Sequence, residues 1–163
     1  MPDRLPDFLD PVAFAEKNRH VRGEFALSQM DRLADALMVR QGFVTVDLQF
    51  GKDGRMSCIR GCVEASLVLQ CQCCLEPLPW VVRSDVNLGV VATVDEALLL
   101  PDSIDPLLVR AGTEVSLIDI VQDELMLGIP VIPQHQDCNF STPAIAVPER
   151  PHPFAGLAQL KIK

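Results

Sequence analysis

Between residues 20 and 91 apolar and polar positions mostly alternate, the period of strands that bury one face. Val21, Gly23, Phe25 and Leu27 predict a short strand. Val44, Val46, Leu48 and Phe50 point one way, and Thr45, Asp47 and Gln49 the other. Asp53-Gly54 supplies a tight turn, residues 56–60 return, and Gly61 reads as a bulge before Val63, Ala65, Leu67, Leu69 and Cys71. Pro77 and Pro79 interrupt pairing, and Trp80, Val82, Ser84, Val86, Leu88 and Val90 resume it. Short connections of this kind predict an antiparallel meander, either open or closed into a barrel-like form.

The pattern changes to a helical one at three places. Asp10-Pro11 offers an N-cap and a proline at the first helical position, predicting a helix to about residue 18. Ser28-Gln29-Met30-Asp31 has capping-box spacing and predicts a helix to about residue 40, with Met30, Leu33, Ala34 and Leu37 on one face. Ser116 and Asp119 repeat that spacing ahead of a helix that ends at Gly128 and Pro130. Residues 93–106 read as a loop and 107–110 as a short strand. Residues 139–153 are irregular by their Pro, Ser and Thr content, and 154–160 are expected to form a short terminal helix. The fold class is therefore α+β. One domain over residues 1–138 packs helices on an antiparallel sheet, and a Pro-rich C-terminal tail follows over 139–163.

On the last of these helices, at about 100° per residue, Leu117, Ile118, Val121, Leu125, Gly128 and Ile129 share one broad face. Asp119 and Asp123 lie opposite, while Glu124 falls between Ile120 and Leu117, inside the apolar arc. A carboxylate there requires a hydrogen bond or charge partner, or it stays protonated. It either reaches the rim and meets an Arg or backbone N–H within the fold, or it grips a partner.

Charge divides the chain. Of the net −8, residues 1–60 contribute nothing, with nine basic and nine acidic side chains. Residues 61–163 carry five and thirteen. Such a chain repels phosphate over its second part, so nucleic-acid contact is expected from the first, through Arg19, Arg22, Arg32, Arg55 and Arg60. Residues 95–124 hold eight acids and one base, Arg110. They suit a basic protein partner, with Asp119, Asp123 and Glu124 as contact residues, or form a solvated surface. With no Tyr and one Trp, stacking on single-stranded RNA has little support.

Six cysteines bring in the remaining chemistry. No N-terminal signal pattern and no membrane-length apolar run is present, so a cytoplasmic protein with reduced thiols is expected and no membrane partner. Cys71 and Cys74 have knuckle spacing, and His135 and Cys138 repeat it, a donor set suited to tetrahedral zinc. The bland alternative makes the cysteines small buried residues and His135 a surface side chain. A thiol redox role for Cys71 and Cys74 requires a helix N-terminus at the first Cys, where Leu75-Glu76-Pro77 follows instead. No phosphate cradle, nucleophile elbow or HExxH is present, so a non-enzymatic protein is expected.

Five stretches, LPDFLDPVAFAEKN, GEFALSQMDRLADAL, LQCQCCLEPLPWVV, SLIDIVQDELMLGIPVIPQHQDC and RPHPFAGLAQLKIK, occur in this order over nearly the whole chain. Together they resemble the YceD-type large ribosomal RNA subunit accumulation proteins of bacteria and plastids. The resemblance implies a ribosome-biogenesis role in the synthesis, processing or accumulation of 23S ribosomal RNA. That role would run through contact with the RNA or its precursor, or with a basic large-subunit ribosomal protein. It carries over Cys71, Cys74, Asp123, Glu124, His135 and Cys138 as motif positions without assigning them roles. Cys73 stands where many relatives have Arg.

Overall fold

The computed structural model describes residues 5–138. Both expectations for the chain after Cys138, the irregular stretch and the terminal helix, lie outside the described residues. The elements run β1 (Phe8–Leu9), α1 (Pro11–Glu16), β2 (His20–Ala26), β3 (Phe43–Asp53), β4 (Met56–Gln70), β5 (Pro77–Val91), α2 (Val94–Ala97), β6 (Asp105–Leu108), β7 (Val115–Ser116) and α3 (Leu117–Leu127). One sheet has the order β2-β3-β4-β5-β6, antiparallel except for the parallel β5–β6 pair, and β1 and β7 form a separate two-stranded sheet. The fold is α+β, and the large sheet is open. Its outer strands β2 and β6 are not paired with each other, so the barrel alternative is not realised.

Alternation sets the core. Val44, Val46, Leu48 and Phe50 of β3 and Ile59, Val63, Leu67 and Leu69 of β4 are all buried on one sheet face. Fully burying each such side chain is worth about 1.5–3 kcal/mol. The helix α1 begins as expected, with the Asp10 carboxylate accepting from the N–H groups of Val12 and Ala13. It places Phe14 edge-on to Phe50, with ring centroids 5.4 Å apart. In α3 the Ser116 hydroxyl accepts from Asp119 N–H, and Leu117, Ile120, Val121 and Leu125 are buried.

Four expectations need correction. Pro77 and Pro79 do not interrupt pairing: β5 begins at Pro77, with Gln70↔Pro77 and Val68↔Pro79 in register with β4. Residues 56–70 are one long strand, because the β3–β4 register runs unbroken through Leu48↔Gly61, and so Gly61 is not a bulge. It is a point of close approach: a Cβ there would lie 1.9 Å from the Asp47 carbonyl oxygen. The helix predicted from Ser28 is instead a pair of 3₁₀ segments, Leu27–Gln29 and Asp31–Ala36. Leu27, Met30 and Leu33, all fully buried, recur every third residue, which is the 3₁₀ period. Here the Gln29 side chain, not Ser28, accepts from the preceding strand at Ala26 N–H. Lastly, residues 93–106 contain the short helix α2, and the strand after them begins at Asp105.

A glycine also fixes how α3 meets the sheet. A Cβ on Gly128 would fall 2.4 Å from Val82 Cγ1, and Trp80 Nε1 donates to the Gly128 carbonyl at 3.2 Å. The C-terminal end of α3 thereby sits directly on β5, and the chain leaves it toward Pro133, whose carbonyl accepts from Gln72 N–H at 2.8 Å.

Candidate metal centre and charged faces

β4 delivers Cys71 to the bend between β4 and β5. The bend closes through Leu75 N–H to Cys71 O at 2.9 Å and Cys71 N–H to Glu76 O at 3.0 Å, with Leu75 in the left-handed region at φ 65°. No helix starts at Cys71, so a helix N-terminus is not what acts on that thiol. The exit from α3 then lays His135 and Cys138 over the bend, and the ligand atoms of Cys71, Cys74, His135 and Cys138 all lie within 4.8 Å of one another.

The individual distances suit one metal. Cys71 Sγ lies 3.8 Å from Cys138 Sγ, and Cys74 Sγ lies 3.5 Å from His135 Nδ1. A tetrahedral zinc with ordinary bond lengths separates two sulfurs by about 3.8 Å and a sulfur from a nitrogen by about 3.6 Å. His135 Nε2 sits 3.2 Å from the Pro77 carbonyl oxygen, which can only accept. That contact places the proton on Nε2 and leaves the Nδ1 lone pair facing Cys74, the outer hydrogen bond that metal-ligating histidines need. Burial pushes the Cys71 thiol up, but the backbone N–H groups of Cys74, His135 and Cys73 outweigh it and bring it to about 5. Cys138 goes the other way, to about 11, through its hydrogen bond with Cys73, its burial and the Cys71 thiol, with Cys74 opposing. Cys73, which lies outside the knuckle spacing, is half-buried with Sγ 3.4 Å from the Cys138 carbonyl oxygen.

The five arginines do not gather. Arg22 and Arg60 share the outer sheet face, since His20↔Gln49↔Arg60↔Asn87 and Arg22↔Asp47↔Cys62↔Asp85 are registered rows. Asp47 takes both His20 (2.7 Å) and Arg22 (3.6 Å), and Asp53 takes Arg60 (2.7 Å). Arg19 lies over the Phe14 ring at 5.7 Å and, with Phe14, His20 and Arg22, lines a cleft of about 420 Å³ beside β2. Arg55 is exposed in the β3–β4 turn. Arg32 belongs to the helix side, paired with Asp123 at 2.6 Å. Its N–H also donates to the buried Gln122 side chain, whose amide donates to Asp119.

Glu124 is buried to 9 % exposure and finds a hydroxyl, not the Arg or backbone N–H expected: Ser84 donates to it at 2.8 Å. Burial raises its pKa, the Ser84 bond opposes this, and the charges of Asp105 and Asp123 raise it further. Ser84 lies at an alternating position of the β5 pattern, and only the placement of α3 reveals it as the partner.

No helix among the described residues is long and apolar enough to cross a membrane. No solved structure matches the chain. Residues 59–161 match the family model described as large ribosomal RNA subunit accumulation protein YceD. The chain is 31 % identical, over 98 % of both sequences, to the large ribosomal RNA subunit accumulation protein YceD of Haemophilus influenzae. The matched segment takes in the whole Cys-bend, α3 and its exit, and the chain belongs to the YceD family.

Proposed function

We propose that this protein supports the accumulation of 23S ribosomal RNA as a non-catalytic factor that touches the RNA or its precursor at the β2 edge. The observation that carries the contact is the cleft of about 420 Å³ where Arg19, His20 and Arg22 converge beside Phe14. A guanidinium already laid on a ring offers a phosphate a cation and a nucleotide an apolar wall. Deleting the gene is expected to lower large-subunit RNA relative to small-subunit RNA. Arg19→Glu with Arg22→Glu is expected to fail to restore the ratio. An unchanged ratio in the deletion strain rules this function out.

A metal reading has separate support in the thiol group. The donor chemistry of three sulfurs and one imidazole, their spacing and the Pro77 contact all fit zinc, held by Cys71, Cys74, His135 and Cys138. Four protein ligands leave no open position, so the ion's part is to tie the α3 exit to the β4–β5 bend. The residues around it contribute order and no reaction.

A further inference from the structure

At the opposite sheet edge from the basic cleft, a groove of about 220 Å³ runs between α3 and β6. Leu88, Leu107, Ile120 and Leu127 form its apolar wall, and Asp105 and Glu124 border it. Leu127 is 80 % exposed, so apolar surface continues out of the groove. The volume falls below the roughly 300 Å³ at which small-molecule sites begin, and suits side chains presented by another molecule.

Charge selects the occupant. Among the described residues, ion pairs engage Asp47, Asp123, Asp31, Glu16 and Asp53, and none reaches Asp105 or Glu124. Asp105 and Glu124 therefore flank an apolar slot without an ion-pair partner of their own: Glu124 accepts only from the Ser84 hydroxyl, and the cation at the rim, Arg32, is held by Asp123. Phosphate-bearing partners are repelled by such an edge, while an apolar segment carrying cations meets both requirements. We propose that the groove docks an amphipathic segment of a partner protein flanked by Lys or Arg. Its apolar side chains would seat on Leu107, Ile120 and Leu127, and its cation would reach Asp105 and Glu124. Of the acids singled out in the sequence, Glu124 keeps a contact role. Asp119 and Asp123 are engaged by Gln122 and Arg32, and Asp105 enters as the partner's second anchor.

The inference goes beyond the RNA contact and can fail without it. A photo-crosslinking residue placed at Leu127 of the full chain in cells is expected to trap peptides that are apolar and rich in Lys and Arg. Asp105→Lys is expected to cut the yield about five-fold or more, with a probe at the exposed Phe43 as the background. A second arrangement, with the probe at Leu107 and Leu127→Glu as the variant, covers the case in which Asp105→Lys does not fold. Adducts confined to residues 139–163 of the same chain, to a second copy or to RNA overturn the proposal. So does a yield no higher than at Phe43, or one indifferent to both substitutions. If adducts persist but the RNA ratio is unchanged on deletion, the RNA reading falls alone.

Discussion

The thiol group and the arginines went through folding in opposite directions. Cys71 and Cys138 are far apart in the chain, yet their sulfurs end 3.8 Å apart. Arg19 and Arg32 are close in the chain, yet one lines a cleft at the β2 edge and the other pairs with α3. The thiols and His135 stay within hydrogen-bond reach of one another, while Asp47, Asp53 and Asp123 take up three of the cations. Four zinc-type donors within 4.8 Å of one another fit one shared ion, whereas Arg22, Arg32 and Arg60 each meet a different carboxylate. Convergence in space therefore says more about function than density in sequence.

The largest expected effect tests the converging side of that contrast. Protein purified without chelator is expected to carry about one zinc per chain by elemental analysis, and Cys74→Ser to carry little. At free zinc a thousand-fold above the dissociation constant, binding stabilises by about 4 kcal/mol, and strong chelation should remove that amount from the unfolding free energy measured by denaturation. Metal-free protein whose Cys71 alkylates rapidly and whose midpoint ignores chelator would return the thiol redox alternative.

Much of the scaffold is legible because its signals are local. Asp10 and Ser116 cap their helices through side-chain contacts two or three residues away, and β3 alternates cleanly. Sequence and structure part where local rules compete. Ser28 and Asp31 offer a capping box, but burial of Leu27, Met30 and Leu33 at intervals of three selects 3₁₀ geometry. Gly61 has the composition of a bulge, and only the closeness of the Asp47 carbonyl shows that it is needed for strand contact. The ligand spacings are readable, but their meeting is not, since it depends on Gly128 letting α3 lie on Val82. The parallel β6, reached through residues 92–104, has no sequence signature of its order, so the Asp105–Glu124 groove could not be foreseen.

A smaller effect tests the parted side. Reversing Arg19 and Arg22 to Glu is expected to weaken RNA binding about ten-fold and to flatten its dependence on salt, since every phosphate the protein no longer neutralises lowers the slope by about one. Arg32→Ala is expected to leave RNA affinity unchanged, because its guanidinium sits on Asp123 of α3 and does not line the cleft. The cost to stability should stay under about 1 kcal/mol, as for other partly exposed pairs. Filter binding across a salt series separates the two, and equal weakening by both variants would mean that the cation count, not the cleft, governs binding.

Glu124 fits neither side of the contrast: it is a charge brought by the fold to a hydroxyl and two further carboxylates. Its folded pKa lies above the ordinary value of 4.5, chiefly through burial, so between the two values the native state holds more protons than the unfolded chain. Its contribution to stability is therefore greatest at low pH and declines as pH rises through the folded value. Glu124→Gln keeps an oxygen to accept from Ser84 and removes the charge. It is expected to be more stable than the natural protein at neutral pH by on the order of 1 kcal/mol, and the gap should close near pH 4. Urea denaturation of both proteins across that range measures the gap directly, and curves that stay parallel would show that Glu124 is solvated. A more stable Glu124→Gln protein with weaker crosslinking at Leu127 would mean that the carboxylate is retained for a cation from outside the chain, at some cost to the fold.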